Sequence, residues 1–264
     1  MDNEVLLSLD NVAVELGGAL RVAQASFKLQ AGEIASVVGA NGAGKTTLLR
    51  AIAGDFMRKH EISGEITFYG HPLHALLPRQ RALRMAVLAQ QNTLGFPFLV
   101  REVIALGRAP HDTGAVNDNK IVEHCAEQFD VRHLLGRIYT ELSGGERQRV
   151  HLARVFAQLA APGEAADARL LLLDEPMNAL DYKHQQQVAA AIAGIAEHNV
   201  AVLQVMHDIN LATQYSTRVL ALLNGKLHSD GDVANFMQAH ILNAVFDIDA
   251  RLMQHPDSGR AMLA

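Results

Sequence analysis

The chain has 264 residues, 49% of them hydrophobic, a formal net charge of −5 and one cysteine. That length suffices for the core of one two-lobed unit, and the acidic balance leaves no footprint for nucleic acid. The lone Cys125 excludes an internal disulfide and fits a reducing compartment, no run of about 18 uncharged apolar residues spans a bilayer, and no signal peptide is evident.

Taken in chain order, residues 1–89 alternate strand patterns with turns such as Gly17-Gly18 and Tyr69-Gly70-His71-Pro72. A strand is expected over 34–38 and a helix over 47–53, and between them residues 39–46 read G-A-N-G-A-G-K-T. Strand, glycine loop and helix is the setting in which G-x-x-x-x-G-K-[ST] binds phosphate. Glycines let backbone N–H groups approach phosphate oxygens with no side chain in the way, and the helix N-terminus adds partial positive charge. Lys45 supplies a full charge for the β- and γ-phosphates, and the Thr46 hydroxyl is placed to ligate Mg²⁺. Asn41, Gly42, Ala43, Gly44, Lys45, Thr46 and Thr47 are therefore the expected ATP cradle.

A strand-like stretch over 84–89 ends at Gln90, and a more helical region follows to about 160, with segments at 100–106 and 119–129. Residues 142–148 read L-S-G-G-E-R-Q and look like a helix start: Ser143 is a good N-cap, Gly144 and Gly145 leave N–H groups open, and Glu146 sits in the first turn. Alone, that is an ordinary cap; a helix N-terminus so bare is also an anion site, the second in this chain. The small, acidic run 162–168 reads as a loop, and 170–173 is an apolar strand buried on both faces that delivers Asp174 and Glu175 at its end. Asp174 suits contact with Mg²⁺, and Glu175, pointing the other way along the strand, suits polarising an attacking water. Strand and helix then alternate to 226, where Asn224-Gly225 is a strong hairpin turn. Nothing repeats, so the chain supplies one cassette.

On these motifs the chain resembles the nucleotide-binding subunit of an ABC transporter over nearly its whole length. The resemblance implies an α/β ABC ATPase cassette over 1–264: a RecA-like phosphate-loop core with an antiparallel β subdomain over 1–89 and 161–264, and a mainly helical subdomain over 90–160. It implies a head-to-tail homodimer in which Ser143, Gly144 and Gly145 contact the γ-phosphate of ATP held by the partner's phosphate loop. Gln90 then matches the glutamine that touches Mg²⁺ and links to the membrane partner, Asp181 lies in the loop crossing the dimer, and His207 matches the histidine contacting the γ-phosphate. The implied catalytic set is Glu175, His207 and Gln90, with Thr46, Gln90 and Asp174 for the metal. Two positions depart from the pattern. Leu16 stands where the family has an aromatic that stacks on adenine, and Met177-Asn178 replaces Thr-Ser, for which the residues themselves offer no reason.

The run L-G-R-A-P-H at 106–111 and H-D-I-N-L-A at 207–212 are similar to the importer subgroup serving ferric siderophores, vitamin B12 and haem. Residues 147–159 and the late H-P-D-S-G at 255–259 look most like haemin importers. The implied partners are an integral membrane permease dimer docking near Gln90 to Arg101, with Phe96 and Phe98 as an apolar floor, and indirectly a periplasmic haem-binding protein. The implied location is the cytoplasmic face of the bacterial inner membrane. The 13 histidines are scattered, with no H-x-x-x-H pair on an expected helix, so no direct haem or zinc site is expected. Siderophore or B12 import is the alternative within the subgroup. A soluble ABC ATPase would need twin cassettes or a long heptad insertion, and a phosphate-loop kinase would lack L-S-G-G-E.

Overall fold

The computed structural model describes residues 5–56, 61–90, 94–160, 167–254 and 259–264. The first half runs β1 (Val5–Leu16), β2 (Ala19–Gln30), β3 (Ile34–Val38), α1 (Lys45–Ala53), β4 (Ile62–Phe68), β5 (His71–Pro72), α2 (Pro78–Arg84), β6 (Met85–Leu88), α3 (Val100–Ala105) and α4 (Ala115–Gln128). It continues with α5 (Gly144–Leu159), β7 (Arg169–Asp174), α6 (Tyr182–Ala196), β8 (Val200–Val205), α7 (Ile209–Tyr215), β9 (Arg218–Leu223) and β10 (Lys226–Asp232). The chain closes with α8 (Val233–Phe236), α9 (Ala239–Phe246), β11 (Leu252–Gln254) and β12 (Ala261–Leu263).

Among the described residues, a six-stranded sheet has the order β10-β9-β3-β8-β7-β6. Its inner pairings are parallel and β10 is an antiparallel edge. The four leucines of β7 show why the pattern there is continuous. Leu170 and Leu172 face a core shared with α1 and the antiparallel sheet, whereas Leu171 and Leu173 face a second core built with α3, α4 and α5. Successive side chains on a strand point to opposite faces, so a sheet covered on both sides needs apolar residues at every position. The exception is a polar trio in the sheet interior, where Ser36 and Ser216 hydroxyls meet at 2.5 Å and the Gln204 amide donates to both. A four-stranded antiparallel sheet, β2-β1-β4-β5, covers α1 from the other side.

The turns expected from Tyr69-Gly70 and Asn224-Gly225 have left-handed backbone at both residues, with φ of 54° and 69° in the first and 49° and 80° in the second. Two boundaries differ from expectation. The helix after the glycine loop starts at Lys45, not Thr47, because Gly44 already provides the left-handed turn into it. Residues 78–84, read as part of a strand region, form α2; none of its residues is fully buried and so it shows no apolar period. The loop expected over 162–168 lies outside the described residues except for Asp167 and Ala168, as does the run 255–259 except for Gly259. No helix among the described residues is long and apolar enough to cross a membrane.

The L-G-R-A-P-H run finds its structural reason at the C-terminal end of α5. Arg108, 3% exposed, donates to the carbonyls of Ala157 and Ala160 at 2.6 and 2.7 Å, to Asp118 at 2.9 Å and to the Thr113 hydroxyl at 3.0 Å. The last carbonyls of a helix have no intrahelical partner, and a buried guanidinium satisfies two of them at once. The His111 ring bonds the Gln158 carbonyl at 2.8 Å, and Gln158 reaches back to the carbonyls of Ala82 and Met85, which ties α5 to α2 and β6. Gly107 sits where a Cβ would lie 2.2 Å from the Arg154 carbonyl oxygen, so only glycine allows this approach.

Arg108→Leu is expected to destabilise the chain by roughly 2–3 kcal/mol in urea unfolding, because it strands buried carbonyls and a carboxylate. The Thr113 hydroxyl and then Arg108 hold the Asp118 carboxyl below its usual range. Its share of stability is therefore complete above the unfolded carboxylate pKa and is lost as pH falls through the lowered native value. The gap between wild type and variant should narrow in acid; a gap independent of pH would exclude the Asp118 contribution.

Candidate functional site

Four strand ends place the site. β3 runs into the glycine loop, β6 ends beside Gln90, β7 ends at Asp174 and β8 leads to His207, all at the C-terminal edge of the parallel sheet. A cavity of about 320 Å³ opens there, lined by Leu16, Arg21, residues 41–47, Gln90, Glu175 and His207. Three glycines shape the loop with φ of 149° at Gly39, 80° at Gly42 and 100° at Gly44. A Cβ on Gly39 would lie 2.4 Å from the Leu222 carbonyl oxygen, and one on Gly44 2.4 Å from that of Arg21, so the loop is wedged between two strands.

Lys45 opens α1 and folds back, its ammonium donating to the carbonyls of Gly39 and Ala40 at 2.7 and 3.0 Å. Burial lowers its pKa, partly offset by the negative charges of Glu175 and Asp174. No side chain caps the N-terminus of α1 and no acid sits in its first turn. This bare helix start with an enclosed cation can receive a polyphosphate.

Asp174 is 2% exposed, and burial raises its pKa despite a hydrogen bond with the Thr46 hydroxyl that lowers it. Its Oδ1 is buried without a hydrogen-bond partner. An orphaned carboxylate oxygen beside a hydroxyl is the donor set of a hard divalent cation. Among the described residues no group of three or more His, Cys, Asp or Glu side chains is placed to hold a metal ion by itself, so phosphate and water oxygens would complete such a shell.

Glu175 collects the site's hydrogen bonds. The Gln90 amide donates to its Oε1 at 2.9 Å, the His207 Nε2 meets the same oxygen at 2.5 Å, and the Asn178 amide donates to Oε2 at 3.2 Å. Its direction is not set by strand alternation, as expected from the sequence, because β7 ends at Asp174 and Glu175 is left-handed with φ 54°. For a non-glycine residue that backbone costs about 1–2 kcal/mol. Bonds to its main chain offset the strain: Glu175 N–H donates to the Val205 carbonyl at 3.1 Å, and the Gln148 amide donates to the carbonyls of Glu175 and Pro176 at 3.2 and 3.1 Å.

The cavity gathers every expected phosphate-loop residue with Gln90, Glu175 and His207, but Ser143, Gly144, Gly145 and Asp181 do not line it. Ser143 and Glu146 form a reciprocal cap in which the Glu146 carboxylate accepts from the Ser143 N–H and hydroxyl at 2.8 and 2.7 Å. The expectation of a bare start to α5 is thus corrected: an acidic side chain already occupies its cap, and those two bonds hold the Glu146 carboxyl below its ordinary pKa. Asp181 caps α6, accepting from the His184 N–H at 2.9 Å. Gly145 lies against the same loop, with room for no more than 2.9 Å between a Cβ and the Ala179 carbonyl oxygen.

Sequence reasoning missed three contributors. Asn178 acquires a reason, the bond to Glu175, while Met177 is 5% exposed and packs in the core. Gln148 lies in a motif that was read, yet its reach across to β7 is not a sequence feature. Arg21 is signalled only by being a cation in a strand just past Gly17-Gly18. Gln148→Leu should lower any turnover that depends on Glu175 by roughly tenfold and leave nucleotide affinity unchanged, since it removes two donors without touching the cavity. Steady-state rates set against equilibrium binding test this, and an unchanged rate would exclude the role.

Comparison with known proteins bears on this geometry. The family model described as ABC transporter matches residues 22–178. The chain is 43% identical over 258 residues to the hemin import ATP-binding protein HmuV of Pseudomonas fluorescens (strain Pf-5), covering 98% of this chain and 99% of the relative. It is 39% identical over 260 residues to the protein of the same name from Plesiomonas shigelloides, covering 95% and 98%. Among solved structures, a chain of a metal-chelate type ABC transporter in an inward-facing conformation superposes with TM-score 0.77 at 25% identity, over 99% of this chain and 97% of that one. The ATP-binding subunit of another ABC transporter, at 20% identity, gives TM-score 0.77 over 92% and 96% and supports the fold alone.

Proposed function

The chain belongs to the ABC transporter family of ATPases, and from that premise we propose that it is the ATP-hydrolysing subunit of a haem importer, working as a homodimer on a membrane permease. The observation that carries the catalytic half is the Glu175 carboxylate, held by Gln90, His207 and Asn178 at the mouth of the phosphate loop. The cargo rests on likeness along nearly the whole chain to proteins named for hemin import. No side chain of the ATPase needs to touch that cargo.

In this reading ATP enters with its phosphates over the N-terminus of α1, and Lys45 exchanges the carbonyls of Gly39 and Ala40 for phosphate oxygens. Thr46, Gln90 and Asp174 would hold Mg²⁺, which supplies charge neutralisation at the phosphates. Asn41, Gly42, Ala43, Gly44 and Thr47 complete the cradle. Glu175 orients water and takes its proton, while His207 leaves Glu175 to steady the γ-phosphate. Ser143, Gly144 and Gly145 from one protomer, with Asp181 in the crossing loop, close over the ATP of the other; Glu146 must yield the Ser143 hydroxyl for that contact. Loss of the γ-phosphate removes the charge that held the two cassettes together.

The permease would dock on the helical face after Gln90. Phe96 is 73% exposed there, whereas Phe98 is packed against the core, so of the two expected floor residues Phe96 is the one available to a partner. A periplasmic haem-binding protein would act through that permease, with the ATPase peripheral on the cytoplasmic side of the inner membrane.

Glu175→Gln should reduce turnover at least about a hundredfold yet accumulate an ATP-bound dimer in size-exclusion chromatography. An undiminished rate would remove Glu175 from its role. Lys45→Ala should abolish nucleotide binding, and tight ATP binding by it would contradict the loop assignment. In liposomes with the co-purifying permease, Glu175-dependent uptake should follow a haem-loaded binding protein. Uptake of a ferric siderophore or vitamin B12 instead would overturn the cargo and leave the ATPase intact.

A further inference from the structure

The lining of the cavity includes a charge that the phosphate chemistry does not use. Arg21 on β2 lines it together with Leu16 on β1, the position at which an adenine-stacking aromatic is absent. The main chain of Arg21 is fixed. Its carbonyl oxygen lies 2.4 Å from where a Cβ of Gly44 would be and 2.8 Å from that of Gly225, and the neighbouring Ala23 N–H donates to the Gly225 carbonyl at 2.7 Å. The backbone of this residue is wedged between the phosphate loop and the β9–β10 turn, and its side chain is exposed while Val22 and Ala23 turn inward. The Arg21 side chain makes no hydrogen bond or ion pair among the described residues.

We propose that Arg21 holds the adenine base, its planar guanidinium stacking on the ring beside the apolar contact of Leu16. This inference rests on the ATP reading of the site and deepens it. A guanidinium is flat, delocalised and weakly hydrated, so it can lie on a purine face as an aromatic ring would, which an ammonium cannot. The division of labour along the cavity favours the base over the phosphates. Lys45, the glycine-loop N–H groups and the start of α1 already serve the phosphate position, and Leu16 offers nothing to an anion. One flat cation and one branched alkyl side chain from adjacent strands then make a seat for a flat, uncharged heterocycle.

The test uses the full chain, calorimetric titration, and two probes that undergo no hydrolysis here, ADP and inorganic pyrophosphate. Arg21→Ala should weaken ADP by roughly tenfold and leave pyrophosphate unchanged. Arg21→Tyr should restore ADP affinity and Arg21→Lys should not, because the plane and not the charge is the requirement. Equal weakening of both probes would make Arg21 a phosphate contact, and rescue by lysine would do the same; either overturns the inference, as does unaltered ADP binding in Arg21→Ala. If the wild-type chain bound neither probe, with Lys45→Ala indistinguishable from it, the ATP reading itself would fall, an outcome distinct from indifference to Arg21 alone.

Discussion

Strands β3, β7 and β8 are covered on both faces, so almost every side chain along them is apolar, and apart from the enclosed Ser36–Gln204–Ser216 trio the polar groups gather where the strands end. Parallel pairing puts all of those ends on one edge. Lys45, Gln90, Glu175 and His207 come from segments far apart in sequence and reach one cavity for that reason, with Asp174 buried next to Glu175 at the end of β7. The glycine loop adds a second constraint: it turns so tightly between β9 and β2 that carbonyl oxygens lie 2.4 Å from where Cβ atoms of Gly39 and Gly44 would be.

The carboxylates at the end of β7 are treated differently although adjacent. Asp174 is inside, its pKa raised by burial and one oxygen left without a hydrogen-bond partner, an environment that suits a hard cation. Glu175 is turned outward by a left-handed residue and receives three side-chain donors. Strain of this kind persists where surrounding bonds over-determine it, and Gln148 and Val205 supply them. The catalytic role proposed for Glu175 is supported by this arrangement of donors.

Helix α5 joins these features. Its N-terminus carries the Ser143–Glu146 cap and touches the Ala179 loop, its first turns send Gln148 to the backbone of Glu175, and its C-terminus is gripped by Arg108. A motif that read as a mark of subgroup ancestry, L-G-R-A-P-H, thus has a mechanical job in fixing the far end of this helix. The region after 232 supplies Phe236, Leu242 and Val245 to the core beside β9, and the Asn210 amide of α7 clasps the backbone of Leu263.

The sequence by itself determined what is local. Glycine spacing, the lysine and threonine in register, the four-leucine strand and the Asn224-Gly225 turn each express a backbone requirement within a few residues, and the resemblance built on them led to the family. Three things were decided only by tertiary structure. The direction of Glu175 depends on a backbone kink stabilised from α5 and β8, Asn178 has meaning only beside that carboxylate, and Arg21 belongs to the cavity only because the β1–β2 hairpin is pressed against the phosphate loop. In each case the partner lies across an element boundary, and side-chain reach across such a boundary leaves no periodicity or spacing in the chain to read.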